Sequence, residues 1–132
     1  MDCTVVKRDE RRWMFAGGFT RARPEIDCFS ASLAAGAPLS AAGWTITPDS
    51  NDPTTPALLA NNTRSHWWDG AGGRHCPSYV RGYDPDQQRW VERIYYAGAA
   101  RHFLGPYAIG YLEWNGATWI DQPLPVFTAN EY

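Results

Sequence analysis

The chain carries one pattern of strand-forming segments twice. Asp2-Cys3-Thr4-Val5-Val6-Lys7 lines up with Cys76-Pro77-Ser78-Tyr79-Val80-Arg81. Trp13-Met14-Phe15-Ala16-Gly17-Gly18 lines up with Ile94-Tyr95-Tyr96-Ala97-Gly98-Ala99. Ile26-Asp27-Cys28-Phe29 lines up with Ile109-Gly110-Tyr111-Leu112, and Gly43-Trp44-Thr45-Ile46 with Thr118-Trp119-Ile120, slightly out of phase. The matches keep the same order, and their drifting offset is what unequal loops between matching strands produce. Each unit reads strand, turn, strand ending in Ala-Gly, loop, strand, turn, Trp-bearing strand. The expected fold is therefore all-β, with two four-stranded antiparallel sheets.

Composition agrees with short strands and tight turns. Among 132 residues there are seven Trp and seven Tyr, with 12 Gly and 10 Pro to interrupt them. Strands are expected at Thr4–Val6, Trp13–Ala16, Ile26–Ser30, Tyr79–Arg81, Arg93–Ala97 and Ala108–Leu112. Turns are expected at Arg8-Asp9-Glu10-Arg11, at 82–86, and at Asn115-Gly116, where a type I′ hairpin needs positive φ at both central residues. The best helix window is Thr55–Asn62, opened by Pro56. Gly36, Pro38 and Gly43 break the Ala-rich 31–42 stretch, which reads as irregular. The length suits a single domain over 1–132, with one sheet unit at about 2–47, a loop at 48–74 and a second unit at about 75–127.

The same numbers exclude several classes. The formal charge is −2, which speaks against a nucleic-acid partner and a polybasic membrane anchor. No apolar run approaches the roughly 20 residues of a membrane span, and no secretory signal is visible. Three cysteines, Cys3, Cys28 and Cys76, without a Cys-x-x-Cys pair, point to reduced thiols and a cytoplasmic setting. No cofactor or metal is expected.

At these residues the chain resembles the five-bladed β-propeller glycosidases and their relatives. Their blades open with a short Asp-Pro type motif, continue through a "Trp-x-Met-Tyr-Tyr-x-Gly" strand and end near an "Asp-Gly-x-x-Trp" turn. Arg12-Trp13-Met14-Phe15-Ala16-Gly17-Gly18, Ile94-Tyr95-Tyr96-Ala97-Gly98 and Trp114-Asn115-Gly116-Ala117-Thr118-Trp119 follow that grammar. The resemblance covers most of the chain except about Pro48–Arg64. It implies that each sheet is a propeller blade, that Asp2 occupies a carboxylate position at a blade start, and that the substrate is a sugar or sugar-derived small molecule. Two blades are legible here. A closed propeller then needs further copies of this chain, or a complementing propeller segment.

The densest polar-aromatic cluster is His66-Trp67-Trp68-Asp69-Gly70-Ala71-Gly72-Gly73-Arg74-His75-Cys76-Pro77. Glycines allow close backbone approach to a ligand. Trp67 and Trp68 suit the apolar face of a sugar, with Arg74 at its polar edge, as substrate-binding groups. Asp2, Asp69 and His75 are the candidate catalytic residues, His75 because its pKa lies near neutrality. The structural alternative is a loop pinned by two core Trp residues around an internal Asp69–Arg74 pair. Cys76 and His75 do not make a dyad, because neighbours on an extended strand point to opposite faces. Two functions follow: a glycosidase-type enzyme with its site in this loop, with Arg74 and His75 at exposed positions, or a non-catalytic, lectin-like carbohydrate-binding protein assembled from two-blade chains.

Overall fold

The computed structural model describes residues 2–18, 27–48, 68, 73–99 and 107–128. The strands among them are β1 (Cys3–Arg8), β2 (Arg11–Gly18), β3 (Asp27–Leu33), β4 (Thr45–Ile46), β5 (Gly73–Asp84), β6 (Arg89–Ala99), β7 (Tyr107–Trp114), β8 (Trp119–Asp121) and β9 (Phe127–Thr128). A 3-10 turn spans Ala41–Gly43, and no α-helix occurs among the described residues. The strands form two antiparallel sheets, ordered β1-β2-β3-β4 and β5-β6-β7-β8, with β9 paired to β7. The protein is all-β, and each sheet follows chain order, so the repeat in the sequence is visible as repeated topology. The window at 55–62 and Ile26 lie outside the described residues. Ala31–Leu33, read as irregular, belong to β3, where Leu33 is buried.

The ladders refine the alignment of the two halves. Gly17 pairs with Cys28 and Gly98 with Ala108, so Cys28 corresponds to Ala108 and not to Tyr111. Val6 faces Trp13 and Tyr79 faces Ile94, which pairs Val6 with Tyr79 and not with Val80. Each correction is an odd number of residues, and an odd slip moves a strand's side chains to the other face. Composition matching cannot see such a slip where a bulge intervenes. Here β5 carries an irregularity between His75 and Ser78, with Cys76 at φ 51.

Turn chemistry sets the hairpins. Asp9 and Glu10 sit at φ 52 and 58, the type I′ arrangement that matches strand twist, with Arg8 opposite Arg11. The Asn115-Gly116 hairpin exists, but Asn115 does not adopt positive φ. Its Oδ1 instead accepts the backbone N–H groups of Ala117 and Thr118, each at 2.9 Å, and closes a longer loop. The turn expected at 82–86 starts later, because β5 runs on to Asp84. Asp84 Oδ1 accepts from the N–H groups of Asp86 and Gln87 at 3.0 and 3.1 Å, and Gln88 completes the reversal at φ 51.

Both sheets contribute to one core. Phe15 of β2 stacks on Tyr79 of β5 at 5.7 Å and meets the edge of Trp119 at 5.6 Å. Ile94, Tyr96 and Leu112 extend that cluster. Matching Ala16-Gly17 with Ala97-Gly98 makes Phe15 and Tyr96 equivalent, and both lie in this core. Equivalent faces of the two sheets therefore meet. Gly17 lies where β5 passes over β2: a Cβ there would touch Cys76 N at 3.4 Å and Pro77 Cδ at 3.5 Å.

Trp68 fills the space over β7. Its buried indole stacks on Tyr96 at 5.7 Å, and its Nε1 donates to the Pro123 carbonyl at 3.3 Å. A Cβ on Gly110 would stand 2.1 Å from Trp68 Cη2. Gly110→Ala is expected to cost about 1–3 kcal/mol through overpacking, read as a lower unfolding midpoint in denaturant. Gly82→Ala, whose Cβ meets nothing within 4 Å, is the matched control. Equal midpoints for the two variants would show that Trp68 is not seated on β7.

Candidate functional site

The start of β5 enters between the sheets, and that entry decides where the predicted cluster goes. Arg74 is 0% exposed. Its Nη2 donates to Asp121 Oδ2 at 2.8 Å, and its guanidinium lies 5.1 Å from the Tyr96 ring centroid. The Tyr96 hydroxyl donates to the other Asp121 oxygen at 3.0 Å. The Arg74 carbonyl accepts from Cys28 Sγ at 3.9 Å. Burial, followed by the charge of Asp27, pushes the Cys28 thiol far up, so it stays protonated and unreactive.

The predicted residues separate accordingly. Arg74, expected at an exposed position, is buried, because its partner Asp121 draws it between the sheets. Trp68 joins it at the Tyr96 ring. Asp2 is exposed and accepts from Cys76 Sγ at 3.0 Å. That hydrogen bond, with some burial, raises the Cys76 thiol above its ordinary pKa. His75 is half-buried on β5, opposite Ala97. Trp67 and Asp69 lie outside the described residues. Among the described residues no group of three or more His, Cys, Asp or Glu side chains is placed to hold a metal ion. No helix among them is long and apolar enough to cross a membrane.

A second polar site escaped the sequence reading. Between the β1–β2 turn and the β5–β6 hairpin lies a cleft of about 230 Å³, lined by Arg8, Asp9, Tyr79, Arg81 and Glu92 among others. Arg8 Nε and the Tyr79 hydroxyl both donate to Glu92 Oε2, at 2.6 and 2.8 Å. Arg8 also lies over the Trp114 ring at 4.3 Å. Burial and the bond to Glu92 push the Tyr79 hydroxyl up to about 12. Burial also acts to raise Glu92, but the hydrogen bonds from Arg8 and Tyr79 outweigh it and hold this carboxyl below its ordinary range.

The hairpin extends past its neighbour, since β6 first meets β7 at Arg93 opposite Glu113. On its projecting part Arg81 faces Glu92 and Tyr83 faces Trp90. Alternation puts Tyr79, Arg81 and Tyr83 on the face of β5 that carries the cleft. Tyr83 and Trp90 are 55% and 66% exposed and meet edge to face at 6.3 Å. The signal was in the sequence: Tyr79-x-Arg81-x-Tyr83 and Trp90-x-Glu92 alternate with period two.

Acid should weaken this arrangement. Glu92 lies below its unfolded pKa, as does Glu113, where bonds from Arg93 and Arg89 overcome burial. A depressed carboxyl stabilises the fold fully above its unfolded value, about 4.3. It loses that contribution as pH falls through the lower folded value. Thermal midpoints are expected to fall steeply below about pH 4, and Glu92→Gln should flatten that limb. A parallel acid limb in the variant would show that Glu92 is not coupled to folding.

Comparison with known proteins finds no family model, no curated protein and no solved structure that matches this chain.

Proposed function

We propose that the protein is a non-catalytic, lectin-like carbohydrate-binding module, the second of the two readings made from the sequence. One observation carries this reading: the exposed Tyr83–Trp90 pair stands next along the ladder from Arg81 and Glu92 of the polar cleft, on the same strand face. An aromatic ring covers the C–H face of a pyranose, and nearby polar groups bond its hydroxyls. Glu92, held by Arg8 and Tyr79, presents a fixed acceptor there. The burial of Arg74 and Trp68 supports a role for them in positioning strands. Asp2 and His75 are the groups a glycosidase would use.

Assembly belongs to the same proposal. Val80, Ile120 and Phe127 are 46%, 42% and 62% exposed. Register puts them on the outer face of the second sheet with Tyr95 and Tyr111. Apolar groups grouped in this way favour burial against another chain. A propeller would place a third blade there. In a ring of blades equivalent residues point the same way round, whereas here Phe15 and Tyr96 meet across one core. That meeting favours pairwise closure of two copies over a head-to-tail ring.

Affinity electrophoresis against a panel of neutral and acidic polysaccharides tests the binding. Retardation by at least one is expected, with Trp90→Ala weakening it roughly fivefold or more, as loss of a stacking aromatic does. Binding to none would end the carbohydrate reading. Release of reducing ends that depends on Asp2 and His75 would establish the glycosidase instead. For assembly, sedimentation equilibrium at micromolar concentration should give at least twice the 14.8 kDa chain mass. A single 14.8 kDa species would refute it.

A further inference from the structure

The basic residues of the cleft and of the β5–β6 hairpin are nearly all paired. Arg8 is bonded to Glu92 and lies 2.9 Å from Asp9. Arg93 bridges Asp84 and Glu113, and Arg89 also reaches Glu113. Lys7 lies 3.8 Å from Glu10. Arg81 differs. Its cross-strand neighbour is Glu92, whose carboxylate is already held by Arg8 and Tyr79. Among the described residues Arg81 is the one arginine of the hairpin that makes no ion pair at hydrogen-bond distance, although its charge joins Arg8 in favouring ionised Glu92, and it is exposed. It also lies diagonally across the ladder from Trp90, a separation of roughly 7–8 Å in an antiparallel pair.

We propose that the β5–β6 hairpin seats an acidic sugar, a uronate, whose ring stacks on Trp90 while its carboxylate accepts from the Arg81 guanidinium. The proposal rests on the carbohydrate-binding reading above and names the ligand class for it. A planar guanidinium whose N–H groups are not engaged in an internal ion pair matches a carboxylate through two parallel N–H···O bonds. A neutral hexose offers hydroxyls to the cleft but nothing that uses this charge. Glu92 does not repel the ligand strongly, because Arg8 lies against the same carboxylate. Tyr83, edge-on to Trp90, supports that ring from the facing strand. The site is open and rigidly backed, which suits an internal residue of a polymer as well as a chain end.

The test uses the full chain and three soluble polymers: polygalacturonate, dextran sulfate and a neutral β-glucan. Isothermal titration should give tighter binding to polygalacturonate than to the neutral glucan. Arg81→Gln should lower the polygalacturonate affinity roughly tenfold or more, as expected for a lost charge-assisted pair. The same variant should weaken glucan binding clearly less than polygalacturonate binding, since a neutral ring has no carboxylate for the guanidinium to hold. Arg81→Lys should recover part of the loss, since it keeps the charge without the fork. Far-UV circular dichroism matching the parent keeps each variant interpretable. Equal affinity for acidic and neutral polymers would overturn the uronate seat and leave the carbohydrate reading standing. Dextran sulfate bound as tightly as polygalacturonate, with the same dependence on Arg81, would overturn the carboxylate assignment in favour of a general polyanion site. Binding to no polymer would remove the carbohydrate reading, and this inference with it.

Discussion

The pair between Arg74 and Asp121 ties the two ends of the second sheet together, on the side where that sheet packs against the first. It joins the first residues of β5 to the last of β8, deep between the sheets. Removing a charged pair from water costs several kcal/mol per ion, about what the attraction returns if every remaining bond is satisfied. Here Tyr96 binds the second Asp121 oxygen, and its ring lies against the guanidinium. Such a pair adds little net stability, but removing one partner leaves a bare charge in the core. What it supplies is position. With Arg74 fixed, β5 passes close to β2, where a Cβ on Gly17 would stand in van der Waals contact with Cys76 and Pro77.

From that anchor the sheet becomes more open toward the hairpin tip. Arg74 lies in the closed end with Trp68 and Tyr96. Tyr79 follows, half-buried against Phe15. Arg81 and Tyr83 then emerge into solvent along the same face. A single strand thus runs from core to surface, and the irregularity between His75 and Ser78 resets its register on the way. The exposed aromatics at its tip inherit the rigidity of the buried end, because the β5–β6 ladder is continuous from Ser78 to Asp84. A recognition surface gains from that, since little ordering is left to do when a ligand binds.

Strands were legible in the sequence because alternation is a local property. Thr4–Val6, Trp13–Ala16 and Arg93–Ala97 all lie inside observed strands. The turns were legible as places but not as types. Asn115-Gly116 suggested two positive φ angles, yet the side chain of Asn115 closed the loop by itself, while Asp9-Glu10, read only as a turn, adopted two positive φ angles without any glycine. The candidate site was read less well. Arg74 looked like a surface group because nothing near it in the chain neutralises it. Its partner is Asp121, 47 residues away, and no local pattern announces such a pairing.

The roles of the aromatic residues follow from the same distinction between local and distant contacts. Tyr96 and Trp68 look, in sequence, as able to hold a sugar as Trp90 does. The difference lies in what stands opposite each of them. Tyr96 faces a cation and a carboxylate that bind each other, so its ring is used up inside the fold. Trp90 faces only Tyr83 across a hairpin that has outrun its neighbouring strand. A ring in that position gains nothing for the stability of the chain by staying exposed. Its placement beside an arginine that forms no close ion pair is better accounted for by what it binds than by what it holds together.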